Sequence, residues 1–431
     1  MTAVVLIFIL SVVGMLALVF FKPAVHVGKG AISIFWVAPA IGVLALLIGR
    51  FLTLGEMIDG LAADSAVNPL KILVLFFSMT LMSVFLDEAG FFRYLAGVVL
   101  CRAKTSQRML FVYLYLVVSV LTVFTSNDIV VLTFTPFICY FAKNADIDPL
   151  PYLIGEFVAA NTWSMTLIIG NPTNIYLAAT SGVGFSDYIR VMLLPTVLAG
   201  AVSFLVLWLL FQRRLTQPME GSAPITPISD RWSVGLGLFS LGGCILLMVF
   251  SSYFDMPMWL IAAGFCVFLF AVAAVLRLVR RRSLRIIARS VLRAPLDVIP
   301  FVLSMFVLVL ALNKVGATRE LAKLLSGQGE VFRYGAASLI AANLVNNIPM
   351  SVLFSAVTAA PSAGLGALYA AVIGSNIGAF LTPVGALAGI MWMAMLKEQG
   401  VKLSFGRFVL YGAAVALPTM AAALVGLVLV L

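Results

Sequence analysis

Thr125-Ser126-Asn127-Asp128 is a polar tetrapeptide set between two apolar arms, residues 109–124 and 129–142. At 1.5 Å per residue the arms are helices of roughly 24 and 21 Å, and neither crosses a hydrocarbon layer about 30 Å thick. The pair therefore reads as a re-entrant hairpin that enters and leaves on one side, with its polar tip near mid-membrane. Non-helical backbone is tolerated at that depth only inside protein or against water, so the tip marks a cavity of the kind a transporter needs.

The rest of the chain sets the class. Of its 431 residues 63% are hydrophobic and 10% charged, against roughly 25% charged in soluble domains. This is a polytopic membrane protein. The first apolar run, residues 3–21, has no early positive charge and no small-residue cleavage pattern, and is expected to be a span and not a cleaved signal. Cys101, Cys139, Cys244 and Cys266 show no close pairing, so neither a disulfide framework nor a metal or other cofactor site is expected. A net charge of +10 would suggest nucleic acid in a soluble protein; here it is loop charge and no nucleic acid is expected.

Further apolar runs lie near 31–49, 70–86, 152–169, 188–211, 232–252, 257–276, 295–312, 366–381 and 406–430, with a polar linker at 212–231 carrying Pro218, Pro224 and Pro227. Numbering the loops alternately places 20 of the 27 Lys and Arg on one side, seven of them between Arg277 and Arg293. By the positive-inside rule that side is cytoplasmic. Both termini are then outside a multi-pass protein of the plasma (inner) membrane.

The segment Leu86-Asp87-Glu88-Ala89-Gly90-Phe91-Phe92-Arg93-Tyr94-Leu95-Ala96 aligns without gaps on Leu312-Asn313-Lys314-Val315-Gly316-Ala317-Thr318-Arg319-Glu320-Leu321-Ala322. Downstream of each comes a polar hairpin tip, Ser126-Asn127-Asp128 and Asn346-Asn347-Ile348-Pro349. A helix broken at a proline follows, at Gly170-Asn171-Pro172-Thr173-Asn174 and at Leu381-Thr382-Pro383-Val384-Gly385. Four spans separate the copies, so they run in opposite directions. The expected fold is all-α, with a first repeat at 1–211 (hairpin 109–142, broken helix 152–180) and an inverted second repeat at 232–431 (hairpin 334–360, broken helix 366–396). Inverted repeats of this kind place their interruptions at one depth, and both tips and both breaks are expected to converge on one substrate. Pro172, Pro349 and Pro383 read as helix breakers.

The sequence resembles the arsenical pump (arsenite permease) membrane proteins of the ion-transporter superfamily. The likeness is clearest at 85–92, Ser126-Asn127-Asp128, Val291-Leu292-Arg293-Ala294-Pro295, Asn346-Asn347-Ile348-Pro349, 372–376 and Thr382-Pro383-Val384-Gly385-Ala386-Leu387. It implies an elevator-like moving domain and export of arsenite or antimonite against proton entry. It also implies a homodimer and a separate soluble ATPase as partners. Asn171-Pro172-Thr173-Asn174 is nearer to the Thr-Pro-Pro-Asn-like breaks of the anion symporters, so a sodium- or proton-coupled transporter of a small inorganic or carboxylate anion stays open as the alternative.

Trivalent arsenic is largely an uncharged trihydroxide at neutral pH, so hydroxyl and amide groups suffice to hold it. The substrate-binding set expected here is Ser126, Asn127, Asn161, Thr162, Asn171, Thr173, Asn174, Asn346, Asn347, Ser375, Asn376 and Thr382. The other reading of the asparagines is that they satisfy backbone freed by the interruptions. Asp128 is the candidate proton carrier, a carboxylate at the bilayer centre being costly unless solvated or paired; it is equally placed to cap the second arm. Glu156 is a second titratable candidate and reads as interfacial. Asp87 and Glu88 read as solvated or paired with Arg93. The basic run from Arg277 to Arg293 reads as a topology signal. No nucleophile motif and no nucleotide-binding loop is present, so neither an enzyme nor an ATP-driven pump is expected.

Overall fold

The computed structural model describes residues 1–21, 24–27, 30–63, 68–103, 106–217, 219, 227–228, 230–254 and 256–431. Lys22, Lys29 and Lys104 of the loop-charge reading, and Pro218 and Pro224 of the linker, lie outside them.

The first half runs α1 (Thr2–Phe21), α2 (Val37–Ile48), α3 (Leu54–Ala62), α4 (Pro69–Glu88), α5 (Phe91–Ala103), α6 (Gln107–Phe124), α7 (Asn127–Asn144), α8 (Leu150–Trp163), α9 (Pro172–Thr180) and α10 (Phe185–Phe211). The second half runs α11 (Arg231–Val249), α12 (Met258–Val279), α13 (Arg285–Leu292), α14 (Val298–Lys314), α15 (Ala317–Leu325), α16 (Glu330–Val345), α17 (Asn347–Thr358), α18 (Leu365–Gly378), α19 (Leu387–Glu398) and α20 (Phe405–Val430). Among the described residues seven helices are long and apolar enough to cross a membrane, or eight if the bent pair α14 and α15 forms one span.

Three details differ from the sequence expectation. The run at 31–49 is not one continuous helix: residues Gly30–Ser33 pair antiparallel with Ala24–Val27 in a two-stranded ribbon, and only the 12-residue α2 follows. Among the described residues the fold is thus helical except for this ribbon. The first hairpin arm starts at Gln107, where Ser106 accepts the Met109 N–H as N-cap, so α6 reaches 18 residues and is long enough to span by itself. α7 is as long, 18 residues, but its polar ends keep it from being apolar enough for a span, so polarity and not shortness argues for the hairpin. Finally, Asp87 and Glu88 are neither solvated nor paired with Arg93. Arg293 Nη1 reaches Asp87 Oδ2 at 2.6 Å and Glu88 Oε1 at 2.8 Å, from the far end of α13.

Packing partners exchange between the halves. α4 lies against α11, α12 and α13 of the second half, and α14 against α1, α2 and α3 of the first. Within each half the equivalents pack alike, α6 on α8 as α16 on α18, and α7 on α8 as α17 on α18. Burial follows: 72% of the α4 window is buried, whereas the α12 window is 28% buried and turns its apolar side chains outward, as a lipid-facing helix does. α8 and α18 are buried almost throughout, and Ala159, Ala160, Ala370, Ala371 and Gly374 allow close approach of their backbones. Phe157 on α8 stacks on Trp392 of α19 at 4.8 Å, and both meet Phe408 of α20 at 5.8 Å.

The aligned residues Glu88 and Lys314 occupy matching places with reversed charge. Glu88 meets Arg293, while Lys314 Nζ holds Glu56 of α3 at 2.6 Å. The Lys314 hydrogen bond, helped by the Thr53 backbone and hydroxyl, lowers the Glu56 carboxyl from 4.5 to about 2. A depressed acid contributes stability above its unfolded value that is lost as pH falls through the folded one. The α3–α14 tether is therefore expected to hold at pH 5 and to be released between about pH 4 and pH 2. Faster amide exchange in α3 across that interval, absent in Glu56→Gln, is the measurement.

Candidate functional site

Around each interruption, neighbouring polar side chains take up bonding that the helix gives up. Residues Thr125 and Ser126 are extended, and Asn127 opens α7. Its Nδ2 donates to Asn161 Oδ1 on α8 at 3.1 Å, and Asn161 Nδ2 returns to the Phe157 carbonyl. The first helix break is longer than one proline: α8 ends at Trp163, two 3-10 turns cover Ser164–Thr166 and Ile168–Gly170, and α9 starts at Pro172 with Asn171 accepting the Thr173 N–H. In the second half Asn346 joins the tip with φ 74° and ψ 153°, outside the left-handed helical region and in one that is otherwise almost confined to glycine. Its Nδ2 donates to the Val384 carbonyl at 3.0 Å. Thr382 donates to Asn343, which in turn donates to the Gly378 carbonyl.

Asn376 joins the two breaks. Its Oδ1 accepts from Ser164 Oγ at 2.8 Å and Asn171 Nδ2 at 2.9 Å, while its Nδ2 donates to Asn174 Oδ1 at 2.7 Å and to the Val372 carbonyl. Asn174 Nδ2 closes the knot on the Ser164 and Leu167 carbonyls. All of these side chains are buried. Asn171, Asn174 and Asn376 therefore do satisfy one another and the freed backbone.

Glycine lets both breaks close. A Cβ on Gly170 would run into the Ser164 carbonyl, and one on Gly385 into the Gly378 carbonyl, backbone atoms that cannot step aside. Gly170→Ala and Gly385→Ala are each expected to destabilise by about 1–3 kcal/mol. Gly264→Ala, which meets nothing on α12, is expected to be neutral or stabilising. Thermal unfolding in detergent checks the set.

A cavity of about 220 Å³ lies between these parts. Its polar lining is Thr80, Ser126, Asp128, Asn171, Asn347 and Arg293. The N-terminal turns of four helices border it: α7 at Ser126 and Asp128, α9 at Asn171 and Pro172, α17 at Asn347 and Ile348, α19 at Ala386 and Leu387. The site is crossed, since α9 packs on α17 and α19 on α7. Each N-terminus carries roughly half a positive charge in its unsatisfied N–H groups.

Asp128 is half-buried, lines the cavity and makes no ion pair or side-chain hydrogen bond among the described residues. It does not cap α7. The N-cap is Ser126, without a side-chain cap bond. Glu156, expected at the interface, is instead fully buried on α8, where the Thr135 hydroxyl lies 3.0 Å from Oε2. It does not reach the cavity lining.

Of the expected substrate set, Ser126, Asn171 and Asn347 line the cavity. Asn127, Asn161, Thr162, Thr173, Asn174, Asn346, Ser375, Asn376 and Thr382 stand behind it. Asn127 Oδ1, Asn347 Oδ1, Thr162 Oγ1, Thr173 Oγ1 and Ser375 Oγ are buried without a partner. Pro172 borders the cavity, while Pro349 and Pro383 sit in the first turns beside it. Sequence reasoning missed Arg293, Ser164 and Asn343 as parts of the site. Ser164 and Arg293 lay within stretches already singled out; Asn343, three residues before the second tip, carried no signal.

The citrate transporter (CitMHS) family model matches residues 5–372. The chain belongs to this family. It is 29% identical over 381 residues to an arsenical pump membrane protein of Escherichia coli, covering 82% of this chain and 85% of that one. It is 28% identical over 380 residues to that of Yersinia enterocolitica, with the same coverage. The putative arsenical pump membrane protein of Bacillus subtilis is 25% identical over 364 residues, 76% of this chain and 80% of that one. The resemblance found in the sequence motifs is thus borne out. Among solved structures, the YdaH transporter of Alcanivorax borkumensis superposes with a TM-score of 0.60 at 13% identity, over 99% of this chain and 97% of that one. MtrF of Neisseria gonorrhoeae gives 0.52 at 15%, over 98% and 94%. At these identities the likeness is one of fold. The protein is a membrane-embedded secondary transporter of a small molecule or ion, not an enzyme.

Proposed function

We propose that the protein is a proton-coupled exporter of arsenite and antimonite, and that the cavity at the four helix N-termini is its substrate site. The observation that carries the reading is Asp128: a carboxylate without an ionic partner, in a cavity bordered by amide-bearing tips, in a chain whose relatives are named arsenical pump membrane proteins. Ser126, Asn171 and Asn347 contact the substrate in this reading. The remaining asparagines and hydroxyls hold the four tips in register. Asp128 takes a proton from outside and releases it inside as the solute leaves. Glu156 is a second proton site whose titration the Thr135 hydroxyl accompanies.

The halves 1–211 and 232–431 act as inverted repeats, the hairpins and broken helices moving as a carrier against α1, α2, α11 and α12. The exchanged packing and the crossed tips support this. Both termini lie outside the plasma membrane. In support, the tethers between elements, Arg214 with Asp148, Arg277 with Asp230, Arg293 with Glu88 and Lys314 with Glu56, each join residues assigned to one side from loop charge. A homodimer and a separate soluble ATPase belong to the same reading, on the resemblance alone.

Proteoliposomes with an acid lumen are expected to accumulate arsenite, and those given only a sodium gradient are not. Sodium-driven accumulation of sulfate or a tricarboxylate in place of arsenite would establish the anion alternative.

A further inference from the structure

Among the described residues Arg293 is the only cationic one in the cavity lining, and it is held by two acids that the proposed mechanism does not use. Asp87 and Glu88 end α4 with their side chains nearly covered, 8% and 12% exposed, while the Arg293 side chain keeps 42% exposure. Their contacts at 2.6 and 2.8 Å both fall on Nη1. One cation between two carboxylates leaves the cluster at net −1.

The same tether exists at the repeat-equivalent place without this arrangement. Lys314 and Glu56 join α14 to α3 one-to-one, and neither residue is in the central cavity lining. Tethering a short helix to a span therefore needs only one pair. The second acid, and the position of the cation at the cavity wall, need another explanation.

We infer that Arg293, overcompensated by Asp87 and Glu88, sets the charge selectivity of the site, so that uncharged polyhydroxyl solutes are accepted and oxyanions rejected. The inference rests on the reading of the cavity as the substrate site. Four helix N-termini present roughly +0.5 each, together about +2, a field that would draw any oxyanion. Ionised Asp128 and the clasp return about −2. The balance is near zero, and it is the second acid of the clasp that brings it there. A neutral trihydroxide then finds donors and acceptors without a net field, whereas a sulfate or carboxylate approaching the exposed side of the guanidinium meets the repulsion of two fixed carboxylates on Nη1. Without the clasp acids the wall would present a free guanidinium, whose planar donors match oxyanions well.

The test adds arsenate or sulfate to purified protein and to proteoliposomes. Wild type is expected to bind neither detectably, and a 100-fold excess of either is expected to leave arsenite flux unchanged. Asp87→Asn/Glu88→Gln is expected to bind arsenate at least tenfold more tightly than wild type and to have its arsenite flux inhibited by it. Glu88→Gln alone gives an intermediate gain if the double variant folds poorly. Arg293→Gln in either background removes the gain, and Glu56→Gln, which cuts the other tether, produces none. Oxyanion binding by wild type, or no gain in the clasp variants with unfolding midpoints retained, overturns the inference. Absence of arsenite flux in wild type bears instead on the proposed function, since arsenate binding is read without transport.

Discussion

Asp128→Asn is expected to abolish proton-driven arsenite accumulation while the protein still folds and inserts. A membrane potential of 100 mV is worth about 2.3 kcal/mol per charge, so one proton entering per neutral solute sustains a gradient of more than about tenfold. Without a titratable group in the cavity, the accumulation ratio in acid-lumen proteoliposomes falls to about one. The unfolding midpoint should stay near wild type, because the carboxylate forms no ion pair and caps no helix, and the amide occupies the same volume. Asp128→Glu retains coupling at reduced rate. Unchanged accumulation in Asp128→Asn would remove the residue from the mechanism and leave Glu156 as the group to vary next.

Asn376→Ala is expected to have the largest effect on stability. It strips Oδ1 from Ser164 and Asn171 and Nδ2 from Asn174, all buried at the meeting of the two breaks. Orphaning a buried polar group costs about 1–3 kcal/mol; Ser164 keeps the Asn161 carbonyl, so the orphans are Asn171 Nδ2 and Asn174 Oδ1, the loss is roughly 2–6 kcal/mol, and flux should fall with it. The neighbour provides the comparison: Ser375 Oγ is buried without a partner, and Ser375→Ala should be near neutral for unfolding. Equal unfolding midpoints for the two variants would show that the knot does not hold the breaks together.

Much of this was legible in the residues. The interruption at Thr125-Ser126 shows because four polar residues in an apolar run have no other reading in lipid, and the break at Pro172 shows because proline cannot continue a helix. The second tip is read by analogy with the first, and Asn346 stands there between α16 and α17 with a positive φ. Asn376, read in the sequence as a substrate group, ties α18 to the first helix break in the structure. A side-chain amide that donates and accepts looks the same in a sequence whether its partner is a solute or another asparagine 202 residues away. Glu156 was placed at an interface because it stands near the start of a run. Its burial depends on α6, α7 and α10 packing around α8, which no local pattern announces.

What the sequence determined by itself is the class, the order of the elements and the four places where helix gives way, since hydropathy, proline and polar interruption act on neighbouring residues. Which side chains face the cavity was decided only by tertiary structure. Arg293 meets Asp87 and Glu88 because α13 crosses from the second half to lie on α4, a contact spanning about half the chain. Charge and burial at such a place belong to the packing of distant helices, and no stretch of the chain carries that information alone.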